Sequence, residues 1–379
     1  MSKRLVTLAV MLLVTAGLSA GAQAKRGMQV GLYDSAQVFA NPDKAFAGFK
    51  KVRTQVARVD LAWGGRFGVA KRKPKNASDP NDAAYNWSLY DPIVAAANKY
   101  KIKILFSIVT TPRWNGGGNR GNLAPKNYKL LKGFARAAAA RYSGTFKPKG
   151  STKALGSVRL WLAWNEPNNP IFLYPQYRKI RGRFVAVSPT TYAKICTSIY
   201  AGVHATKIAQ EQVACGATGP RGNNAPRTPR PSVDPLSFVR ALKKAGVKRL
   251  DAYAHHPYGV GRTLTPFSKP KRYDKNTVML GNINDLIKQV TRQWGKKPIW
   301  ITEYGWQTNP PDRYFGVTWR RQARFLSQSF AIARKNPRIS LMIWFLIRDE
   351  RRLAGWQSGF YTANGRKKPA YDAFRRLPH

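Results

Sequence analysis

Short apolar runs alternate along the chain with longer segments in which apolar residues recur every three or four positions. The short runs are rich in β-branched and aromatic residues and end at turn residues, a pattern that predicts buried β-strands. Eight strands are predicted, at Met28–Tyr33, Gln55–Ala62, Ile102–Val109, Val158–Trp164, Gln212–Ala217, Leu250–His255, Pro298–Thr302 and Ile339–Leu346. The intervening segments predict helices, among them Tyr128–Tyr142, Thr190–Ile208, Pro235–Ala245, Ile283–Trp294 and Thr318–Arg334.

Strands that alternate with helices favour a parallel sheet, either open or closed. A doubly wound open sheet would favour a glycine-rich phosphate loop after the first strand. The segment that follows this strand reads SAQVFANPD and contains no such loop. We therefore predict a single (β/α)8 barrel over residues 25–379, with no internal repeat and no second domain.

The first residues have the pattern of a secretory signal peptide. Lys3 and Arg4 precede a short apolar run, and small residues follow as far as Ala22-Gln23-Ala24. This pattern predicts a signal peptide over residues 1–24, cleaved after Ala24, and a secreted protein. An uncleaved anchor is the alternative, but the run is short for a membrane-spanning helix, and no later stretch is long and apolar enough.

The two cysteines are Cys196 and Cys215. An oxidising compartment would permit them to pair, and two buried free thiols are the alternative.

Basic residues greatly outnumber acidic ones. Lys and Arg total 66 against 17 Asp and Glu, a formal net charge of +49, and they are spread along the chain. This excess is typical of association with anionic cell-wall polymers, of an acidic polysaccharide substrate or of nucleic-acid binding, and a solvated basic surface is the simpler reading. No nucleic-acid motif is present, so a specific nucleic-acid partner is not expected.

Three long loops are predicted after strand ends, at Trp63–Asn86, Thr111–Asn127 and Gly219–Val233. Barrel enzymes build their sites from loops at that face of the barrel. The third loop is also rich in Pro, Arg and Asn, so a disordered segment is its alternative reading.

Two of the scarce acids stand at the ends of apolar strands. Glu166 ends the fourth strand in WLAWNEPN, and Glu303 ends the seventh in IWITEYGW. In a barrel both would project from one rim toward the axis. A buried carboxylate without a partner is costly, whereas cleavage of a glycosidic bond needs a pair of carboxyl groups.

Other strand ends supply residues that suit such a pair. Arg58 and Asp60 share one face of the second strand, from which Arg58 would hold Glu303 ionised and lower its pKa. The alternative is that Arg58 and Asp60 form an ion pair only with each other. Asn165 can donate to a sugar hydroxyl. In AHHPYG, His256 and Tyr258 share a face and can donate to the attacking carboxylate and to the substrate. His255 points the other way, which predicts a structural role.

The eighth strand carries Trp344, which offers a flat platform for a sugar ring. A place in the core is the alternative for this residue.

In combination these motifs resemble those of the clan A glycoside hydrolases, the retaining (β/α)8 group that includes cellulase-like, xylosidase-like and galactanase-like enzymes. The resemblance covers Met28 to Arg376. It rests on WNEP, HPYG, ITEYGW and WF at strand ends, on TPRW after the third strand and on the tail GFYTANGRKKPAYDAFR.

The resemblance implies roles for individual residues. Glu166 matches the general acid/base, Glu303 matches the nucleophile, and Asn165 matches the residue that binds the 2-hydroxyl of the sugar. The substrate-binding and positioning residues that it implies are Arg58, His256, Tyr258, Trp344 and Trp114. Retention further implies carboxyl groups about 5–5.5 Å apart.

The expected protein is thus a secreted retaining β-glycosidase with a β-linked glycan as substrate. A monomer is expected, and no metal or other cofactor is implied. Two alternatives stay open: a transglycosidase that remodels cell-wall or capsular glycan, and a non-catalytic barrel that binds polyanions or the cell wall. The sugar, the linkage and the choice between internal and terminal cleavage are not determined by these motifs.

Overall fold

The computed structural model describes residues 27–259, 261–271, 274 and 276–378. The predicted signal peptide, residues 1–24, lies outside the described residues.

Within the described residues, eight parallel strands close into a barrel in the order β1-β10-β9-β8-β7-β4-β3-β2. The barrel strands are β1 Gln29–Tyr33, β2 Val56–Ala62, β3 Lys103–Val109, β4 Leu160–Ala163, β7 Gln212–Thr218, β8 Ala252–His255, β9 Ile299–Tyr304 and β10 Ile339–Phe345. All eight lie where the apolar runs predict them, and the predicted (β/α)8 barrel is confirmed.

Helices separate most of these strands, as the periodic segments predict. They are α1 Ser35–Ala40, α2 Pro42–Lys51, α3 Asp91–Lys99, α4 Tyr128–Arg141, α5 Ser188–His204, α6 Pro235–Lys244, α7 Ile283–Trp294, α8 Trp319–Lys335 and α9 Ala370–Arg375. Several begin at side-chain caps, such as Asn127 on α4 and Asp234 on α6.

The core forms two layers. An inner cluster fills the barrel with residues such as Val56, Leu105, Leu162, Ala254 and Ile343. An outer cluster joins the alternate residues of the strands to the helices. Inward and outward positions alternate along each strand, so the period of two decides which side chains reach the barrel mouth.

A β-bulge interrupts this alternation in β9. Ile301 pairs with Met342 and Tyr304 pairs with Trp344, so three steps along β9 oppose two along β10. The extra residue allows two successive side chains, Thr302 and Glu303, to face the barrel interior. Both contact inward-facing residues from other strands.

A two-stranded antiparallel hairpin, not predicted from the sequence, lies between β4 and α5. Its strands are β5 Tyr177–Ile180 and β6 Arg183–Ala186. Arg181 and Gly182 form the two-residue turn with φ values of 47° and 77°, as a type I′ turn requires. Most of the hairpin is exposed on both faces.

Cys196 on α5 and Cys215 on β7 form a disulfide with a Cα–Cα distance of 5.9 Å. The two cysteines are therefore paired, and the alternative of two buried free thiols is wrong. Among the described residues, no helix is long and apolar enough to cross a bilayer.

Candidate active site

Glu166 lies at the carboxyl end of β4 in a strained turn. Trp164 and Glu166 have positive φ values of 68° and 33°, in a region of backbone conformation that residues other than glycine rarely adopt. The backbone N–H of Glu166 donates to the carbonyl of Ala217 at 2.9 Å, and Ala217 is itself at φ 48°. Such clusters of strained residues are common at functional sites, and here the turn directs the Glu166 carboxyl across the barrel mouth.

Glu303 reaches the same mouth through the bulge in β9. Its Oε2 accepts a hydrogen bond from Nη1 of Arg58 at 3.0 Å, and its Oε1 accepts one from the hydroxyl of Tyr258 at 2.9 Å. Its side chain is about nine-tenths buried. Both oxygens are thus held by donors, one of them charged, which suits a carboxylate that must be ionised to react.

The two glutamates face one another closely. One carboxylate oxygen of Glu166, one of Glu303 and a ring nitrogen of His256 all lie within 4.8 Å of one another. The sequence predicts that these carboxyl groups meet at one rim, and the structure brings them together there.

Arg58 is fully buried and holds several members of the site in place. Its Nε donates to Ser107 Oγ at 2.9 Å, and its Nη2 donates to Asn165 Oδ1 at 2.5 Å. Because Oδ1 of Asn165 accepts from Arg58, the amide nitrogen of Asn165 is directed elsewhere and can donate to a sugar hydroxyl.

His256 is neutral and links the two glutamates. Arg58 Nη1 lies 3.2 Å from its Nε2 and can only donate, so Nε2 accepts and the proton is on Nδ1. That N–H donates to Glu166 Oε1 at 3.0 Å. Burial lowers the pKa of His256 to about 3, which keeps the ring uncharged. The neighbouring His255 faces outward, bonded to Thr218 and to the Val278 carbonyl, as the strand period predicts.

Burial raises the pKa of Glu166, and hydrogen bonding by Asn169 and the charge of Arg58 only partly oppose it. Burial likewise raises the pKa of Glu303, although Arg58 and the Tyr258 hydroxyl act to lower it. The prediction that Arg58 sets a lowered pKa at Glu303 is therefore wrong in its net direction, because burial outweighs the charge. Since Glu303 has the stronger donors, a proton shared by the pair resides on Glu166.

Glu166, His256 and Glu303 present donor atoms close enough to bind a metal ion. The guanidinium of Arg58 already lies within hydrogen-bonding distance of Glu303 and His256. Its positive charge would repel a divalent cation and satisfies the same ligand atoms, so the residues fit a metal poorly.

Trp344 is not at the barrel mouth, which corrects the predicted sugar platform. Its ring is completely buried in the outer layer beside Tyr304 and Phe360, and its Nε1 donates to the Ser358 carbonyl at 2.9 Å. The physical reason is the strand period: Leu341 and Ile343 face inward, so Trp344 faces the helices. Trp344 therefore lies in the hydrophobic core, which was the alternative prediction for this residue.

Three aromatic residues that were not predicted as site residues surround the mouth instead. Trp356 is partly exposed, with its ring centroid 4.9 Å from that of Tyr258 and 5.5 Å from that of Phe345. Tyr33 lies under the Arg58 guanidinium, 4.3 Å from ring centroid to cation, and donates to Asp60 at 2.6 Å. The period of two could have placed Tyr33 on the inner face of β1, but no strand pattern covers Trp356.

Trp114 lies in the loop after β3 and packs edge-on against Trp63 at 5.7 Å. Its Nε1 donates to the Ala70 carbonyl at 3.1 Å, which ties the loops after β2 and β3 together. These contacts give the partly exposed Trp114 a role in loop packing.

Asn168, two residues beyond Glu166, fixes the loop that follows β7. Its buried amide accepts from the Gly219 N–H at 2.8 Å and donates to the carbonyls of Gly219, Arg221 and Val233. A Cβ at Gly219 would lie 3.0 Å from the Glu166 carboxyl carbon, so the loop passes directly against the acid. The second asparagine of WNEPN thus has a positioning role that the strand pattern alone does not reveal.

Comparisons with known proteins support this chemistry. Residues 244–374 match the family model described as glycosyl hydrolase catalytic core. This range includes His256, Tyr258 and Glu303. No curated protein sequence matches the chain.

Solved structures with the same fold include several glycosidases. A glucosidase from Croceicoccus marinus superimposes with a TM-score of 0.63 at 12% identity, over 93% of this chain and 65% of its own. A family 39 glycoside hydrolase from Bacteroides cellulosilyticus WH2 gives a TM-score of 0.58 at 17% identity, over 93% of this chain and 63% of its own.

A β-glucosidase from Exiguobacterium marinum gives a TM-score of 0.57 at 13% identity, over 90% of this chain and 88% of its own. This chain thus spans just under two thirds of the length of the first two proteins. At such low identities the likeness establishes the fold. The chain thus shares the barrel fold of these glycosidases, and residues 244–374 match a glycosyl hydrolase catalytic core.

Proposed function

We propose that the protein is a secreted retaining β-glycoside hydrolase in which Glu303 is the nucleophile and Glu166 is the general acid/base. The observation that carries this proposal is the proximity of the pair: one carboxylate oxygen of Glu166 lies within 4.8 Å of one carboxylate oxygen of Glu303. Retaining enzymes have carboxyl groups about 5–5.5 Å apart, whereas inverting enzymes need about 6.5–9.5 Å to admit a water molecule between acid and base.

The hydrogen bonds support the two proposed roles. Arg58 and Tyr258 stabilise the negative charge of Glu303, so Glu303 attacks the anomeric carbon. Glu166 holds the proton: its Oε1 accepts from His256, and its Oε2, which accepts from Asn169 Nδ2 at 3.1 Å, carries the proton that passes to the departing oxygen. The first step thus forms a glycosyl–Glu303 ester and releases the leaving group as an alcohol.

The second step reverses these roles. Once Glu303 is esterified it carries no charge, so the electrostatic repulsion that favours protonation of Glu166 disappears and its pKa falls. Glu166 then removes a proton from a water molecule, which attacks the anomeric carbon from the side that the leaving group vacated. Two inversions give net retention.

Neighbouring residues provide a sugar-binding subsite. The Asn165 amide nitrogen is directed to donate to the hydroxyl beside the reacting carbon. Asp60 Oδ1 is buried without a hydrogen-bond partner among the described residues and can accept from another sugar hydroxyl. Trp356 supplies the flat apolar face.

A basic lobe beside Glu166 suggests which half of the substrate is anionic. We define this arginine-rich lobe as residues 170–187 and 219–233, which contain no acidic residue. Its exposed basic side chains are Arg178, Lys179, Arg181, Arg183, Arg221, Arg227 and Arg230. The two segments are joined by contacts such as Arg227 over the Phe184 ring at 5.6 Å.

The acid/base contacts the leaving-group half of a substrate, and the arginine-rich lobe is fastened to Glu166 through Asn168 and Gly219. We therefore propose that acidic groups, such as uronate carboxylates, lie on that half. With Arg227→Gln and Arg230→Gln, KM for an acidic β-glycan should rise several-fold while turnover of a small neutral aryl glycoside is unchanged. Equal effects on both substrates would contradict this substrate class.

Secretion is proposed from the signal-like N-terminus, and the Cys196–Cys215 disulfide is consistent with an oxidising compartment.

The proposed mechanism is tested with the Glu303→Gln and Glu166→Gln variants on activated aryl β-glycosides. Both should lose activity, while Glu211→Gln, a buried glutamate that lies against Trp161, should retain it. Azide added to Glu303→Ala should yield the α-glycosyl azide, and azide added to Glu166→Ala should yield the β-glycosyl azide. Full activity in Glu303→Gln, or azide products of the opposite configuration, would refute the assignment.

A further inference from the structure

The amino-terminal end of the barrel, opposite the carboxyl pair, contains a second concave site. A cavity of about 400 Å³ lies between the starts of β1, β2 and β3 and the last turns of α2 and α3. Its lining includes the basic residues Lys50, Arg53, Lys101 and Lys103, together with Thr54 and Gln55. Among the described residues, no acidic residue lines this cavity.

Arg53 and Lys101 occupy backbone positions that normally favour glycine. Their φ values are 64° and 57°, and each follows the carboxyl end of a helix, α2 or α3. The helix-ending hydrogen bonds are Thr54 N to Phe49 O at 3.0 Å and Ile102 N to Ala97 O at 2.9 Å. This is the glycine-ended C-cap motif with a long basic side chain in place of glycine.

The same C-cap motif after α6 uses glycine. Gly246 has a φ of 95°, and Val247 N bonds to Leu242 O. The chain therefore places left-handed basic residues at two adjacent corners of one cavity and glycine after α6, although Lys207, which follows α5 outside the cavity, is also left-handed.

Thr54 supplies the observation that points to a ligand. Its side chain is 4% exposed, it lines the cavity, and its Oγ1 has no hydrogen-bond partner within the part of the chain that the structure describes. A buried hydroxyl without a partner is costly.

Gln55 adds another donor. Its Oε1 accepts from the Val30 N–H at 2.8 Å, which leaves its amide nitrogen to donate. The cavity thus presents ammonium, guanidinium, amide and hydroxyl donors, and no carboxylate is among the described residues that line it.

We propose that this cavity binds a phosphate group of a phosphodiester polymer. Tetrahedral oxyanions accept several hydrogen bonds at once, which fits the convergence of two or more cations with the Thr54 hydroxyl and the Gln55 amide. Because the cavity lies at the end of the barrel remote from Glu166 and Glu303, a polymer bound there leaves the catalytic mouth open. The site would tether the enzyme to an anionic polymer without competing with substrate.

Inorganic phosphate and a short poly(glycerol phosphate) are the probes, titrated into the whole protein by calorimetry. The variants are Arg53→Gly, Lys101→Gly and Thr54→Val. The matched control is Lys207→Gly, since Lys207 is also basic, exposed and left-handed, with a φ of 59°, but lies outside the cavity.

Each of the three cavity variants should weaken phosphate binding at least five-fold, and Lys207→Gly should leave it unchanged. Arg53→Gly and Lys101→Gly should also raise the Tm, because glycine relieves the left-handed strain. This rise shows that lost binding is not lost folding.

Absence of saturable phosphate binding, or equal losses in Lys207→Gly, would overturn the site. Binding of phosphate but not of the polymer would overturn the tethering role. Hydrolysis of aryl glycosides should be unaffected in all of these variants, so failure here is distinguishable from failure of the proposed catalysis.

Discussion

The hydroxyl of Tyr258 donates a hydrogen bond to Oε1 of Glu303 at 2.9 Å. This bond stabilises the ionised carboxylate and therefore lowers the pKa of Glu303 against the rise that burial causes. Tyr258→Phe should raise that pKa further, because the ionised carboxylate loses a hydrogen bond that stabilises it. The acid limb of the kcat/KM profile should move to higher pH, because Glu303 must be ionised to attack.

The alkaline limb, which in the proposed mechanism reports deprotonation of Glu166, should stay in place in Tyr258→Phe. Tyr304→Phe is the matched control, since the Tyr304 ring stacks on Tyr258 but its hydroxyl bonds to Ser329 and Trp306. A shift of the same size in the control, or none in Tyr258→Phe, would show that the hydrogen bond does not tune the nucleophile.

Gly219→Ala should misplace the acid/base without unfolding the barrel. The added Cβ would lie 3.0 to 3.2 Å from the carboxyl atoms of Glu166, so the carboxyl must shift by a few tenths of an ångström. We expect kcat to fall roughly ten-fold, because a displacement of 1 Å can cost about a hundred-fold. Steady-state kinetics with a poor leaving group, which needs protonation most, is the measurement.

Gly259→Ala serves as the control near the same mouth, since the nearest atom to its Cβ would be 3.6 Å away. Unchanged kcat in Gly219→Ala with the poor leaving group would contradict the contact. So would an equal loss in both variants.

Trp356→Ala and Trp344→Ala should separate binding from stability. Trp356 is partly exposed at the mouth, so its loss should raise KM about ten-fold, with little change in Tm. Trp344 is completely buried, and its truncation should cost about 3–5 kcal/mol of unfolding free energy. The measurements are denaturant unfolding and kinetics well below the Tm. A loss of activity without loss of stability in Trp344→Ala would show that Trp344 contributes to the active site.

Lys368→Met should destabilise the protein by about 3–5 kcal/mol, because it leaves the buried carboxylate of Asp349 without its partner. The Lys368 ammonium is fully buried and donates to Asp349, Thr308 and the Gln357 carbonyl. Lys368→Met with Asp349→Asn should recover part of that stability in denaturant unfolding. If the double variant is no more stable than Lys368→Met, the cost does not come from an uncompensated charge.

The strands and the two glutamates were predictable because the buried apolar residues and the glutamates lie in the same short segments. An apolar run that ends in a lone acid leaves few alternatives to a carboxyl group at the barrel rim, and the period of two correctly separates His256 from His255. For β10 the same reasoning failed, since ISLMIWF is apolar on both faces and contains no alternation that would orient Trp344.

Trp356, Asn168 and the hairpin β5–β6 depend on loops whose path is set by contacts distant in the sequence. Asn168, for example, bonds to residues more than fifty positions away. The cavity at the amino-terminal end needed the structure for the same reason, since it combines the ends of two helices with the starts of three strands.

Because of the extra residue in β9, a single-residue deletion there would disturb the active site more than the barrel fold. Deleting Thr302 would restore a regular pleat between Ile301 and Tyr304, and the strand could still pair with β10. The glutamate would remain on the inner face but sit up to about 3.3 Å deeper, the length of one strand residue. A loss of three nucleotides in the gene would thus yield a protein that folds but whose glutamate lies too deep to make the proposed attack on the sugar.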